Sequence, residues 1–129
     1  MEFSLPVGLV FTSEKRVEFA DSAAHYGSGL VEVFATPAMI ALMENAALNA
    51  VGSYLPEGFN TVGTEISSTH IKATPIGMLV KATATLTAVD GKKLTFDIVA
   101  EDEEGIIGKG THSRFIIDTE KFMSKLTKK

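Results

Sequence analysis

The segment from Pro37 to Val51 constrains the fold more than any other, because its composition predicts one long helix that is apolar on nearly every side. A Thr-Pro pair opens the segment and Gly52 closes it, as is typical of helix ends. Such a helix must be covered on most sides. One curved sheet cannot enclose it, so we expect the sheet to cover one side and a partner subunit to cover the rest.

Glu44 is the only charged residue between Thr36 and Glu57. It follows the spacing of one apolar stripe on the helix, together with Ile40, Met43, Ala47, Leu48 and Val51. An unpaired carboxylate is costly to bury, so either partners hold it or its protonation is shifted, and both cases make it a candidate for chemistry. The alternative is that Glu44 lies at a solvent-exposed edge of the helix, beside Asn45 and Asn49, and has no role beyond solubility.

The segments that flank the helix predict strands. Residues 7–19 alternate apolar and polar side chains, as in a strand with one solvated face. Residues 21–32 contain two glycines and little periodicity, which indicates a loop or a short irregular helix that can act as a mobile cover. Four further strand-like segments follow the helix, at 62–73, 78–89, 93–101 and 106–117.

Short connections join these four segments, and Asp-Gly at 90–91 is a strong hairpin signal. Short connections favour antiparallel neighbours, so the four strands are predicted to form a meander. A last segment from Thr119 predicts a short helix with Phe122 and Leu126 packed. The expected architecture is one α+β domain over residues 1–129, in which a curved five-stranded antiparallel sheet wraps a long central helix.

The composition argues against several classes of function. A formal net charge of −4 gives no support for a nucleic-acid partner, and no apolar run approaches the ~20 residues that span a membrane. The amino terminus lacks the basic start and apolar core of a signal peptide, so cytoplasmic location is the expectation. The chain has no cysteine, three scattered histidines and no P-loop, Rossmann or His-Glu-x-x-His motif. We therefore expect no metal and no cofactor.

Three strings are distinctive: VFATPAMIALME at 33–44, VGTEISSTHIKATPIG at 62–77 and GKGTHSRFIIDTEKF at 108–122. The second contains Thr-His-x-x-x-Thr-Pro-x-Gly, and in the first Glu44 follows Thr36 by eight residues. Together the strings resemble the fluoroacetyl-CoA thioesterase-like family of hotdog-fold proteins. The resemblance implies a hotdog fold and hydrolysis of a thioester.

By this resemblance, the family's catalytic threonine, glutamate and histidine fall on Thr36, Glu44 and His70. Its substrate-site glycine and arginine fall on Gly63 and Arg114. Glu44 would act either as a nucleophile that forms an acyl anhydride or as a base that activates water.

The resemblance stops before Val33. There the namesake of the family has a phenylalanine-rich cover over its acyl pocket, and this chain has Gly27 and Leu30. We therefore expect thioester hydrolysis to be kept and selectivity for a fluorinated acyl group to be lost.

Most candidate residues also allow a structural interpretation. Thr36 precedes a proline and is a good N-cap candidate, although its hydroxyl can instead face a substrate or a carboxylate. A lone strand histidine such as His70 is more often structural, but beside Glu44 it can move protons near neutral pH. Gly63 can simply relieve crowding, and Arg114 can be a surface charge. His25 and His112 have no evident partner in the sequence and are not included among the candidates.

Three functions are compatible with these residues. The leading hypothesis is an acyl-CoA thioesterase for a small acyl group, assembled as a homodimer or a tetramer with residues of two subunits in each site. The second is a non-catalytic module that binds an acyl-CoA or another small ligand in the same groove. A hotdog hydratase or dehydratase is less favoured, because the arrangement of histidine and acid that those enzymes use is not found in the sequence.

Overall fold

The computed structural model describes residues 3–127, which form five strands, three α-helices and one 3₁₀ turn. The strands are β1 (Val10–Arg16), β2 (Phe59–His70), β3 (Leu79–Asp90), β4 (Lys93–Asp102) and β5 (Gly105–Asp118). The helices are α1 (Ala23–Tyr26), α2 (Thr36–Gly52) and α3 (Thr119–Thr127), and the 3₁₀ turn is Phe19–Asp21. The predicted α+β architecture, with one long helix and five antiparallel strands, is confirmed.

The strands form one antiparallel sheet in the order β1-β3-β4-β5-β2. Strands β3, β4 and β5 are sequential neighbours, as the Asp-Gly turn predicts. The predicted four-stranded meander is wrong, because β2 pairs with β5 at one edge and not with β3. The crossing from β2 to β3 covers three strand spacings, roughly 14 Å, which residues 71–78 can span when extended. A short connection therefore did not require the two strands to be neighbours.

Helix α2 packs on the sheet through a stripe of small and flexible side chains. The buried stripe is narrower than the predicted one, because Glu44 and Leu48 are only half-buried. Beside them, Ala41 and Asn45 are exposed. This exposed side is the part of the helix that the sheet does not cover. The buried helix residues are Ala38, Met39, Met43, Ala46, Ala47, Ala50 and Val51.

Gly108 in β5 allows both α2 and β2 to approach β5 closely. A methyl group at this position would overlap the Thr69 carbonyl oxygen, and it would lie 2.8 Å from Met39 Sδ. Both distances are below ordinary van der Waals contact, so only glycine fits without a shift of the backbone. The close approach brings the end of β2, which carries His70, against the start of α2.

Strand β2 contains a bulge at Thr64. The register passes from Gly63 opposite Arg114 directly to Glu65 opposite Ser113. The Thr64 hydroxyl donates a hydrogen bond of 3.1 Å to the Ser113 carbonyl. Successive side chains of a strand point to opposite faces, so one extra residue reverses the alternation.

The bulge therefore places two candidate residues of β2 on the same face of the sheet. Gly63 precedes the bulge and lies beside Glu44 of α2. His70 follows the bulge and lies beside Thr36 of the same helix. In a regular strand these two positions would face opposite sides.

The segment between β1 and α2 is a loop with short helical turns, as predicted. Strand β1 is shorter than the predicted 7–19, because the chain has entered the 3₁₀ turn by Phe19. The Ser22 hydroxyl caps α1 by accepting a hydrogen bond of 3.1 Å from the His25 amide. Leu30, near the end of this segment, is 99% exposed.

The predicted carboxyl-terminal helix is present as α3. Phe122 is half-buried against the sheet, as predicted. The predicted packing of Leu126 is wrong, because its side chain is 66% exposed. No helix in the described range 3–127 is both long enough and apolar enough to cross a membrane.

Candidate active site

Thr36 and His70 form the first half of the candidate site. Thr36 is the first residue of α2, and its Oγ1 lies 2.8 Å from Nδ1 of His70. The N-cap is Ala35, and no side chain caps the helix. Thr36 therefore does not act as the N-cap that its position before Pro37 suggests, and its hydroxyl is committed to the imidazole.

His70 is held as a neutral ring with one free nitrogen. Its Nε2 is buried and has no hydrogen-bond partner within residues 3–127. Burial lowers the pKa of His70 below its ordinary value, although the nearby Lys72 backbone partly opposes this effect. The ring also meets the buried Phe34 edge to face, with centroids 6.5 Å apart. An unpaired nitrogen on a neutral, fixed imidazole is suited to proton transfer.

A groove of about 340 Å³ lies beside this pair. Its walls are the start of α2, the segment between β1 and α2, and the chain that follows β2. The groove is partly apolar and has the Thr36 hydroxyl and the His70 ring on its surface, so a small organic group with a polar end would fit it. The lining residues are Ala23, Ser28, Val33, Phe34, Thr36, His70, Ile71, Lys72 and Ala73.

A buried carboxylate fixes the chain next to His70. Asp102 accepts hydrogen bonds from Lys72 Nζ at 2.8 Å and from the Thr74 hydroxyl at 2.9 Å. The Glu104 amide donates to the other carboxylate oxygen at 2.8 Å. Burial alone would raise the pKa of Asp102, but these donors hold it below its ordinary value. Lys72 is thereby tied to Asp102 and also carries a raised pKa from the same hydrogen bond.

Glu44, Gly63 and Arg114 form the second half of the candidate site. A Cβ added at Gly63 would lie 3.1 Å from Glu44 Oε2 and 3.5 Å from Arg114 Nη1. The absence of a side chain at Gly63 leaves room between the carboxylate and the guanidinium. These residues line a groove of about 420 Å³, together with Ala41, Asn45, Leu48, Thr61 and Val62.

Arg114 is a buried cation, not a surface charge, with only 7% of its surface exposed. Its Nε and Nη2 donate to the hydroxyl and the carbonyl of Thr61 at 2.8 and 2.9 Å. No carboxylate of the described residues lies within 4 Å of it, although Glu44 is close enough to oppose the lowering of its pKa by burial. Arginine stays protonated in proteins, so the groove contains a fixed positive charge.

His112 is a member of this second group that the sequence interpretation left out. Its Cε1 would lie 3.1 Å from a Cβ at Gly63, and its Nε2 lies 3.1 Å from Arg114 Nη1. The missed signal was the spacing His-x-Arg, because residues two apart on a strand share one face.

The structure places the predicted residues in two groups and not in one. Thr36 and His70 are in contact, and Glu44 lies with Gly63 and Arg114. The expected pairing of Glu44 with His70 is not found within the subunit, where the imidazole nearest to Glu44 in this group is that of His112. Eight residues of α-helix separate Thr36 from Glu44, about 12 Å along the axis.

Residues 3–127 contain no group of three or more histidine, cysteine, aspartate or glutamate side chains that could hold a metal ion. The polar groups of the two grooves include an imidazole, hydroxyls, a carboxylate and a guanidinium. These groups can bind and activate an organic substrate by proton transfer and electrostatics.

Solved structures match the whole arrangement. A crystal structure of the fluoroacetyl-CoA thioesterase FlK superimposes with a TM-score of 0.91 at 39% identity, over 98% of each chain. A thioesterase superfamily member from Thermus thermophilus, TTHA0967, gives a TM-score of 0.89 at 25% identity over 96% of this chain and 92% of its own. The fold and its similarity to these enzymes define the protein as a hotdog-fold thioester hydrolase.

Sequence comparison gives the family. The family model described as fluoroacetyl-CoA-specific thioesterase matches residues 17–120. The fluoroacetyl-CoA thioesterase of Streptantibioticus cattleyicolor is 45% identical over 98 residues, which are 76% of this chain and 70% of that protein. The chain belongs to the fluoroacetyl-CoA-specific thioesterase family. The match begins at residue 17, so the prediction that similarity begins only at Val33 is wrong.

Proposed function

We propose that the protein hydrolyses a small acyl-CoA thioester, with Thr36, Glu44 and His70 as its catalytic residues. The observation that carries this proposal is the 2.8 Å contact between Thr36 Oγ1 and His70 Nδ1, two residues that line one groove. This contact leaves His70 Nε2 buried without a hydrogen-bond partner among the described residues. The names of its relatives support a CoA thioester as the substrate class. The alternative of a non-catalytic ligand-binding module has no observation in its favour.

The free nitrogen of His70 suggests how the attacking group is activated. If Nδ1–H donates to the Thr36 hydroxyl, Nε2 is an unprotonated base at neutral pH. In the other tautomer the hydroxyl donates to Nδ1, and Nε2–H is a donor for the substrate. The leaving thiol has a reference pKa of roughly 8.5, so it departs as a thiolate with little help. The main demands are therefore activation of the nucleophile and stabilisation of the oxyanion.

We expect the start of α2 to meet the second demand. Met39 is the first residue of the helix whose amide donates back, to the Ala35 carbonyl at 3.0 Å. The Ala38 amide precedes it, and the Thr36 side chain, which turns to His70, does not cap it. A free amide at a helix start carries partial positive charge and would stabilise the oxygen of a thioester carbonyl.

We further propose that the two halves combine across a homodimer. Strand β2 is an edge strand with one side unpaired; Gly63 lies near its middle and His70 at its end. In a twofold pair with antiparallel β2 edges, residues equally far from the axis come together. Because Thr64 is an extra residue, an axis at Ser67 would set His70 against Gly63 of the partner subunit, and with it Glu44 of the partner subunit. The half-exposed side of α2 would then be covered by the second copy, while a tetramer is the larger alternative.

The acyl group is proposed to be small without a requirement for fluorine. The groove at Thr36 and His70 has a volume of about 340 Å³, and Phe34 forms part of its wall. Leu30, in the stretch where the namesake has its aromatic cover, projects into solvent in this subunit. We expect comparable rates with acetyl-CoA, fluoroacetyl-CoA and propionyl-CoA, measured by release of free thiol.

The central test is the substitution Glu44→Gln. We expect the rate of thiol release to fall at least about a hundredfold, because the amide can neither attack nor accept a proton. Glu57→Gln, at an exposed turn residue, is the matched control and should leave the rate and the thermal midpoint unchanged. An unchanged rate in Glu44→Gln would contradict the catalytic role. Binding of acyl-CoA without turnover by the wild type would favour the non-catalytic module instead.

A second test addresses the shared site. His70→Ala and Glu44→Gln subunits are each expected to be inactive as pure dimers. After mixing and exchange of subunits, half of the dimers are mixed, and each mixed dimer holds one intact site. About a quarter of the wild-type activity should therefore return. Mixed dimers that form but remain inactive would refute a site built from two subunits.

The role of Glu44 can be separated by isotope labelling. A single turnover in ¹⁸O-water transfers the label to the product directly if Glu44 activates water. Attack by the carboxylate itself would form an anhydride, and attack of water on the Glu44 carbonyl of that anhydride would leave label in Glu44. Label found by mass spectrometry in the peptide that contains Glu44 would therefore establish the anhydride route.

A further inference from the structure

His112 is almost fully buried, with 1% of its surface exposed, and both ring nitrogens have partners. Its Nδ1 lies 2.7 Å from the Glu65 carbonyl oxygen, which can only accept a hydrogen bond. Nδ1 must therefore carry the proton. In the neutral ring Nε2 is then an acceptor, and Arg114 Nη1 donates to it at 3.1 Å. The backbone of the bulged strand thus selects the tautomer of His112.

This contact completes the set of hydrogen bonds on the buried side of Arg114. Thr61 accepts from Nε and Nη2, and His112 accepts from Nη1. A planar guanidinium that is held at all three nitrogens has one orientation. The N–H groups that remain are directed away from these partners, in a wall of the groove that also contains Glu44 and Gly63.

We propose that His112 is a positioning residue, whose neutral imidazole fixes the Arg114 guanidinium in the orientation that binds the substrate. The proposal rests on the proposed function, in which Arg114 belongs to the substrate site. His112 does not touch the reacting atoms in this arrangement, and its effect passes through Arg114.

The charges around His112 explain why the ring must stay neutral for this role. Arg114 lies on the same strand, Glu44 approaches from α2, and β4 contributes the apolar Phe96 ring, whose centroid lies 6.2 Å from that of His112. Burial lowers the pKa of His112, the Glu65 carbonyl and Glu44 oppose this, and Arg114 adds to it. A proton on Nε2 would turn the acceptor into a donor that faces the N–H of Arg114. The contact between the two residues would then be lost.

Two substitutions of His112 separate its two hydrogen bonds. In His112→Asn, the amide reaches the position of Nδ1 and keeps the bond to Glu65, while the acceptor for Arg114 is lost. In His112→Gln, the longer side chain places its oxygen near the position of Nε2 and keeps the acceptor for Arg114. We expect His112→Asn to raise KM on the order of tenfold, with kcat within about threefold of the wild type, because a buried charged donor is left unpaired. His112→Gln should recover most of this loss.

The background Arg114→Met shows whether the effect passes through the guanidinium. In this background, the further change His112→Asn should raise KM by no more than about twofold, because the group that it orients is absent. His25→Asn, which removes an exposed imidazole of α1 outside both grooves, is the matched control. Thermal midpoints of all variants identify losses that arise from unfolding alone.

The outcomes distinguish this inference from the proposed function. A raised KM in Arg114→Met, with an unchanged KM in His112→Asn, would overturn the positioning role and leave the substrate site in place. An unchanged KM in Arg114→Met would remove the proposed role of Arg114, and this inference with it. Equal losses in His112→Asn and His112→Gln that follow their thermal midpoints would show a structural residue only. Independently of turnover, ¹⁵N spectra that find Nε2 of His112 protonated at pH 7 would also overturn the proposal.

Discussion

Gly63 is the residue at which the second groove is most sensitive to size. Its Cα faces Glu44, His112 and Arg114 at once, and an added methyl group would be 3.1 Å from the first two and 3.5 Å from the third. The backbone at Gly63 does not adopt a left-handed conformation, so glycine is required here by space and not by strain. The chemistry of the groove therefore depends on an absent side chain.

Gly63→Ala tests this dependence. We expect kcat/KM to fall by roughly ten- to a hundredfold, because Glu44 and His112 must move by a few tenths of an ångström, and His112 contacts Arg114. The free energy of unfolding should change by less than about 1.5 kcal/mol, since the half-exposed Glu44 can yield. Chemical denaturation and thiol-release assays measure the two quantities. Gly52→Ala, where an added Cβ meets nothing within 4 Å, is the control, and equal kinetics in both variants would contradict the assignment.

The resemblance to a family predicted five site residues, and the structure places all five along two grooves. They are Thr36, Glu44, His70, Gly63 and Arg114. The role of Thr36 as a cap was predicted from its position before a proline, and the hydroxyl instead meets an imidazole distant in sequence. The spacing His-x-Arg places His112 on the same strand face as Arg114, but its other partner is a backbone carbonyl. Main-chain acceptors leave no trace in the sequence.

At the scale of secondary structure, two contacts determine where the two halves of the candidate site lie. They are the pairing of β2 with β5 and the packing of α2 on both strands. Local patterns predicted α2 and the meander of β3, β4 and β5, because turn residues and apolar spacing are local signals. The position of β2 at the sheet edge was not predicted, since strand order depends on packing between segments that are distant in sequence. The bulge was not predicted either, because Thr64 is an ordinary strand residue.

Gly108→Ala tests the close approach of β5, β2 and α2. The added methyl group would overlap the Thr69 carbonyl oxygen and crowd Met39 Sδ, so the strands must separate. We expect the free energy of unfolding to fall by about 2–3 kcal/mol, which is typical of overpacking a core. The rate of thiol release should fall by more than the loss of folded protein explains, because His70 directly follows Thr69 in β2. Urea denaturation gives the stability.

Lys109→Ala, at the exposed neighbour in the same strand, is the matched control for Gly108→Ala. It tests whether any substitution in this part of β5 weakens the fold. A Gly108→Ala protein with wild-type stability and rate would show that the two strands have more freedom than their contacts indicate.

At the scale of the whole molecule, one buried and one half-buried imidazole link stability to pH. Burial lowers the pKa of both His70 and His112 below the ordinary value of 6.5. The unfolded chain therefore binds more protons than the folded chain between that value and the lowered one, and the free energy of unfolding rises with pH in this window. The carboxylate of Asp102 acts in a more acidic range, because its lowered pKa stabilises the fold above 3.8 and this contribution is lost below that value.

We therefore expect the free energy of unfolding to be highest at pH 7–8 and to decline as the pH falls from about 6.5 towards 5. Urea denaturation at fixed protein concentration measures it, since a dimer would make stability depend on concentration. His112→Gln should reduce the slope, because one of the two linked groups is removed. His25→Gln is the matched control, and an equal reduction in both variants would contradict the assignment to buried rings.

The bulge at Thr64 has a consequence for how this family can be compared by sequence. The number of residues between positions 63 and 70 decides which way each end of β2 points, so this spacing is as much a part of the site as the residue types. A relative that keeps the glycine, the histidine and both of their helix partners, yet has one residue fewer between them, would turn one end outwards. Counting that interval is therefore a more stringent criterion for shared catalysis than matching the motif letters.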